Sequence, residues 1–202
     1  MIDNIFRERF ERLVRPGLGI IQLLKLSPNQ ITVSALLISL VAAFYVSYGY
    51  LYLALALWWL SRSLDGLDGI YARYSGQESL FGSYLDICSD MLAYSSIIYA
   101  FALFEPRLSS LSMAILIMYV MSICSALSLG SLEKDFGLEK RDNRGLRFGA
   151  GLCEGGETGA MYTLFCLFPA YLDKLMFIWL LLLILSVALR SVLAYRVLRG
   201  VK

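Results

Sequence analysis

Apolar residues fall in long blocks along this chain, and the polar residues gather in short clusters between them. Ile31 to Tyr48 carries no charge, and as a helix it would span roughly 27 Å, the thickness of a bilayer core. Ser27-Pro28-Asn29 suits the start of that helix, with Pro28 in the first turn, and Gly49 ends it. Tyr50 to Leu64 reads as a second apolar helix with Trp58, Trp59 and one charge, Arg62, and it delivers Asp65 and Asp68 near its end. A turn follows at Ser75-Gly76-Gln77-Glu78. A third span starts near Leu80, carries Asp86 and Asp90 in its first turns and ends at Glu105-Pro106-Arg107. Ser109 to Leu129 is a fourth span, Leu152 to Tyr171 a fifth with Pro169 near its end, and Lys174 to Leu198 a sixth. Ser131 to Gly149, the most polar stretch, is expected as a loop or surface helix.

The N-terminal stretch differs from these blocks. Ile2, Phe6, Phe10 and Leu13 share one helical face, and Arg7, Arg9, Arg12 and Arg15 lie on or near the other. That pattern predicts an interfacial helix on an anionic leaflet, ended by Pro16-Gly17-Leu18-Gly19. The alternative is a soluble helix packed on the domain. A signal peptide does not fit, because Gln22 and Lys25 interrupt the following apolar run and no small-residue cleavage site appears. The expectation is therefore an all-α polytopic membrane protein with a single domain over 1–202. It comprises an amphipathic interfacial helix over 1–16 and a bundle of six transmembrane helices over 28–198.

Composition supports this reading. At 58% hydrophobic and 17% charged residues, the chain is too apolar for a soluble domain of its length. The small net charge decides nothing, but its distribution does. One set of loops holds only Arg107 and Lys174. The other side holds Arg7, Arg9, Arg12, Arg15, Lys25, Arg73, Lys134, Lys140, Arg141, Arg144, Arg147, Arg196, Arg199 and Lys202. This bias predicts that both termini and the acidic stretch face the cytoplasm. The four cysteines form no CxxC pair and read as small core residues. The absence of histidine excludes a His-based relay or a His zinc site and leaves carboxylates for proton transfer.

The candidate chemistry lies between Asp65 and Asp90. Asp65 and Asp68 are three apart and Asp86 and Asp90 four apart, so each pair shares a helix face. Four like charges among Leu64, Leu67, Ile70, Leu85 and Ile87 would repel strongly, and a hard divalent cation with oxygen ligands, Mg²⁺ or Mn²⁺, relieves that repulsion. An ion-paired polar patch is the plain alternative, but four acids with one arginine nearby do not pair off. Gly69, Ala72 and Gly82 are small, which allows close helix packing or leaves room for a planar base. Arg73 suits a phosphate oxygen or an anionic headgroup.

Asp65-x-x-Asp68-Gly69-x-x-Ala72-Arg73, eight residues, then Gly82-x-x-x-Asp86-x-x-x-Asp90 resembles the signature of the CDP-alcohol phosphotransferases, with all eight positions filled. The resemblance implies an integral-membrane phospholipid synthase that joins CDP-diacylglycerol to a small polar alcohol and releases CMP. It implies two Mg²⁺ or Mn²⁺ ions per site on Asp65, Asp68, Asp86 and Asp90, with Asp90 also the base that takes the acceptor's proton. It implies a nucleotide pocket of Asp65, Gly69, Ala72, Arg73 and Gly82, and a homodimer through transmembrane helices. In relatives whose acceptor is phosphorylated, such as glycerol 3-phosphate or an inositol phosphate, basic residues from the later regions hold the phosphate. Here those would be Arg144, Arg147 and Arg190, an arginine inside a span being a functional candidate by default. The alternative pairs Arg190 with Glu154 or Glu157 and leaves Arg144 and Arg147 as topology determinants.

Gly151, Gly155 and Gly159 recur every four residues and read as a packing face. Two other readings compete: a CDP-choline-type enzyme with a lipid alcohol acceptor, and a carboxylate-lined transporter, whose acids should lie near the midplane rather than at one end. The expected partners are CDP-alcohol, acceptor and membrane lipids, and no nucleic acid.

Overall fold

The computed structural model describes residues 14–23, 25–135 and 155–199, all helices and connecting turns. The chain forms two compact units, Met1–Phe104 and Glu105–Lys202.

The first unit contains a 3₁₀ turn at Arg15–Gly17 and helices α1 (Leu18–Leu23), α2 (Pro28–Ser47), α3 (Leu51–Ser75) and α4 (Leu80–Phe104). Ser27 sets the start of α2. Its side chain accepts from the Gln30 N–H at 3.3 Å, and its own N–H donates to Gln30 Oε1 at 2.8 Å, so two end donors are satisfied reciprocally. Pro28 at the first helical position lacks an N–H that would have had no partner there.

Helix α2 is the axis of this unit, and α3 and α4 each pack along it. Ala35 and Ala42 on α2 and Ala54 on α3 are buried, and small side chains let helix backbones approach closely. The approach lets Ser61 Oγ on α3 donate to the Ala35 carbonyl at 2.7 Å. The outer face of α2 carries Val33, Leu37, Val41 and Phe44, all exposed. Apolar side chains turned outward in a row suit a hydrocarbon environment.

The segment of α3 that bears the acids is anchored from below. Leu18 of α1 is buried with Ile31, Ile70 and Tyr71, and Val14, Ile21, Leu64 and Leu67 pack around them. Helix α3 ends at Gly76, whose φ of 66° lies in the left-handed region. A side chain there would carry a penalty of about 1 kcal/mol. The turn lets the Gln77 N–H reach the Ala72 carbonyl at 2.9 Å and sends the chain back into α4 after four residues, 76–79.

The second unit contains a 3₁₀ turn at Pro106–Leu108, α5 (Ser109–Asp135), α6 (Gly155–Leu167), a 3₁₀ turn at Pro169–Tyr171 and α7 (Leu172–Leu198). Both α5 and α6 pack on α7 around Ile115, Phe165, Met176, Trp179 and Leu183. The polar groups inside find one another: Tyr119 and Tyr162 hydroxyls lie 2.8 Å apart, and Trp179 Nε1 donates to the Tyr119 oxygen at 2.9 Å. Pairing of this kind lowers the cost of burying polar groups where no water is at hand.

Four stretches among the described residues are long and apolar enough to cross a membrane: Pro28–Ser47, Leu80–Phe104, Pro106–Leu132 and Pro169–Leu198. The other two expected spans differ from this set for separate reasons. Helix α3 is long enough, at 25 residues, but Arg62, Asp65, Asp68 and Arg73 break its apolar run. Helix α6 is described over only 13 residues. The start of the polar stretch is helical, since α5 continues to Asp135. The expected interfacial helix over 1–16 lies outside the described residues except for its last three.

Candidate functional site

Asp65 and Asp68 sit on one face of α3, and Asp86 sits on the first turns of α4. One carboxylate oxygen from each lies within 4.8 Å of the other two. Three like charges that close repel by at least about 3 kcal/mol per pair at an effective dielectric near 20. Asp68 is buried and is fixed from α2, where the Thr32 hydroxyl donates to its Oδ2. Asp65 Oδ1 is buried and has no hydrogen-bond partner among the described residues. An orphaned buried carboxylate oxygen inside a cluster of acids that outnumber the one arginine beside them suits a hard divalent cation, which takes oxygen ligands and supplies further positive charge. The residues present therefore fit such an ion.

Asp90, the fourth expected ligand, is placed differently. Its Oδ1 accepts from Arg62 Nη1 at 2.5 Å. The same nitrogen lies 3.5 Å from Asp65 Oδ2, and Arg62 Nη2 donates to Ser61 Oγ at 3.2 Å. The Arg62 guanidinium also rests 4.9 Å from the Trp58 ring centre and 5.4 Å from that of Tyr94. The structure thus brings Asp65, Asp68 and Asp86 together and sets Asp90 beside them on an arginine.

A cleft opens next to the acids. Asp68, Gly69, Ala72 and Arg73 form its α3 wall, and Gly82, Ser83 and Asp86 form its α4 wall. Pro28, Asn29 and Thr32 of α2 and the turn residues Gln77 to Ser79 complete it. Gly69, Ala72, Arg73 and Gly82, four of the five residues expected to hold a nucleotide, therefore line one space. Gly82 sits where a side chain would crowd two neighbouring side-chain ends. A Cβ there would lie 3.0 Å from Ser79 Oγ and 3.1 Å from Asn29 Oδ1, while Ser79 Oγ already accepts from the Gly82 N–H at 2.9 Å.

Of the three arginines expected at the acceptor, Arg144 and Arg147 lie outside the described residues, as does Glu154. Arg190 is 5% exposed within the second unit. Its Nη1 donates to the Ser122 carbonyl at 2.6 Å and reaches Ser122 Oγ at 3.1 Å and Ser125 Oγ at 3.2 Å. Glu157 is exposed in the first turn of α6.

Among the residues at the site that sequence reasoning did not single out are Asn29, Thr32 and Arg62. Thr32 and Asn29 sit in the opening turns of α2, and nothing local to them points to acids 36 and more positions away. Arg62 did carry a signal, as the lone charge of an apolar helix one turn before Asp65.

Acids gathered where apolar helices end, beside a small-residue cleft with an arginine on its wall, equip this protein for metal-assisted phosphoryl chemistry at a membrane. The CDP-alcohol phosphatidyltransferase family model matches residues 25–198, and the chain belongs to that family. It is a metal-dependent CDP-alcohol phosphotransferase of phospholipid synthesis and an integral membrane protein. It is 28% identical over 174 residues to the inner membrane protein YnjF of Escherichia coli strain K12, covering 85% of this chain and 84% of that one. It is 38% identical over 80 residues to the archaetidylinositol phosphate synthase of Pyrococcus horikoshii, 40% of this chain and 43% of that one.

The fold matches phosphatidylinositol phosphate synthase of Mycobacterium tuberculosis. With CDP-DAG bound, that structure aligns at a TM-score of 0.73 and 20% identity over 91% of this chain and 94% of the other. In complex with manganese and citrate it aligns at 0.68 and 21% identity, over 90% and 87%.

Proposed function

We propose that this protein transfers a phosphatidyl group from CDP-diacylglycerol to a small polar alcohol and releases CMP. One observation carries the proposal: Gly69, Ala72, Arg73 and Gly82 line the same cleft as Asp68 and Asp86, whose carboxylates lie within reach of Asp65. In this reading Asp65, Asp68 and Asp86 hold the metal, with Asp90 completing the site on the side of a second ion. Mg²⁺ or Mn²⁺ there would neutralise the pyrophosphate and the departing CMP. Gly69, Ala72 and Gly82 leave a flat space for the cytosine ring, and Arg73 binds a phosphate oxygen. The acceptor hydroxyl attacks the phosphorus that bears the diacylglycerol. A new P–O bond forms, the bond to CMP breaks, and Asp90 takes the hydroxyl proton.

The topology belongs to the same proposal: one domain over 1–202, six spans, an interfacial N-terminal helix, a homodimer in the membrane, and termini and site facing the cytoplasm. That the Pyrococcus relative is an archaetidylinositol phosphate synthase and the Mycobacterium one a phosphatidylinositol phosphate synthase supports an acceptor bearing a phosphate, with Arg144, Arg147 and Arg190 as its basic residues. The test is direct. Purified protein with Mn²⁺ or Mg²⁺, CDP-diacylglycerol and a panel of alcohols should release CMP in step with a new phospholipid. Excess chelator should stop both. Absence of CMP release with every acceptor, or full turnover in chelator, refutes the reading.

A further inference from the structure

We propose that Arg62 is a positioning residue for the transfer: it holds the Asp90 carboxylate in a fixed place beside the metal-binding acids. The inference rests on the role given to Asp90 above. Arg62 is the cation of this acid cluster, and its geometry leaves it little freedom. Its Nη1 donates to Asp90 Oδ1 at 2.5 Å, while its distance to Asp65 Oδ2 is 3.5 Å, so the stronger bond goes to Asp90. Nη2 is held by Ser61 Oγ, which itself donates to the Ala35 carbonyl of α2. The guanidinium is flanked by the Trp58 and Tyr94 rings, a contact that favours a planar delocalised cation over a compact ammonium. The side chain is 10% exposed and that of Asp90 is 27% exposed, so the pair is shielded from water while Asp90 stays open on one side.

The consequence is a division of labour among four like charges. Asp65, Asp68 and Asp86 each keep one oxygen within 4.8 Å of the others for a metal, and Asp90 is held by the arginine that borders that cluster at Asp65. A carboxylate held on one oxygen keeps the other for a proton. Without Arg62 the same carboxylate would be unanchored next to three acids, and repulsion would turn it away. Acceptor deprotonation would suffer, while nucleotide binding in the cleft, which Arg62 does not line, would not.

The experiment compares Arg62→Ala and Arg62→Lys with wild type in detergent micelles, reading three quantities on folded protein: CMP release, Mn²⁺ binding by the loss of free-ion EPR signal, and melting temperature. Arg62→Ala should lower kcat about 10- to 100-fold with the KM for CDP-diacylglycerol within about twofold. Arg62→Lys should recover part of the kcat, since it restores the charge without the fork or the ring contacts. The tighter Mn²⁺ binding, assigned to Asp65, Asp68 and Asp86, should stay within about threefold of wild type, while binding of a second ion beside Asp90 weakens. A kcat that is unchanged per folded molecule overturns the inference, and so does a kcat loss matched by an equal loss of the tighter Mn²⁺ affinity.

A second measurement does not depend on turnover. A double-mutant cycle of Arg62→Ala and Asp90→Asn on unfolding should show clear coupling, and independent effects overturn the inference. Wild-type protein that fails to release CMP refutes the proposed reaction instead, and the cycle then still decides whether Arg62 and Asp90 act as a unit.

Discussion

Replacing Thr32 by valine should weaken metal binding without disturbing the fold. Valine keeps the branched shape of threonine in a buried position, so no cavity opens. What is lost is one hydroxyl that donates to Asp68 Oδ2 and lies 3.2 Å from the Pro28 carbonyl. Two effects then oppose each other. The freed oxygen carries more negative charge, which favours a cation. The carboxylate also loses the donor that fixes its rotamer, and Asp86 and Asp65 push it away. A hydrogen bond to a charged group contributes about 1.5–3 kcal/mol. Loss of such outer partners of metal ligands lowers affinity about 10- to 100-fold in general, so orientation wins. The assay is Mn²⁺ titration followed by the free-ion EPR signal, alongside CMP release at saturating and at low metal. Thr32→Val should need about 10- to 100-fold more metal and approach wild-type rate when saturated. Metal affinity that is unchanged or tighter would show that Thr32 competes with the ion for Asp68, and the reasoning fails.

Asp90→Asn should lower turnover about 10²- to 10⁴-fold while CDP-alcohol binding persists, since a carboxamide cannot take the proton; near-normal turnover would place the base elsewhere. Gly82→Ala should raise the KM for the CDP-alcohol several-fold, because the new methyl meets Ser79 Oγ and Asn29 Oδ1 at about 3 Å, and an unchanged KM would move the nucleotide out of this cleft. Arg190→Ala should lower the melting temperature, because it removes donors to Ser122 and Ser125 from a buried site. If Arg190 also binds an acceptor phosphate, the acceptor KM rises by about 10- to 150-fold, and an intact KM with a lower melting temperature assigns it a structural role alone.

The helices were legible because their apolar blocks and their stops are both local signals. Gly76 after Ser75 and Glu105-Pro106 after Phe104 mark the observed ends of α3 and α4. From Ser131 hydrophobicity fades while helical hydrogen bonding runs on to Asp135, so the start of the polar stretch takes the helical one of its two expected forms. At the site, the signature gave the acids and small residues, since both halves lie within 26 positions of sequence. It did not give their partners. Thr32 meets Asp68 only because α3 packs along α2, and Arg62 meets Asp90 only because α3 and α4 share that axis. Sequence spacing placed the four acids as one group; packing draws Asp65, Asp68 and Asp86 together and sets Asp90 beside them through Arg62, which touches both Asp90 and Asp65.

The four-residue connection at Gly76 has a consequence for how the protein takes up its ion. Closing a flexible loop of the length between Asp68 and Asp86 would cost of the order of 2–3 kcal/mol in chain entropy. Here that cost is met when α3 and α4 fold back along α2, before any ion arrives. The acids are thus a preorganised chelate: binding energy is not spent on gathering ligands from remote segments.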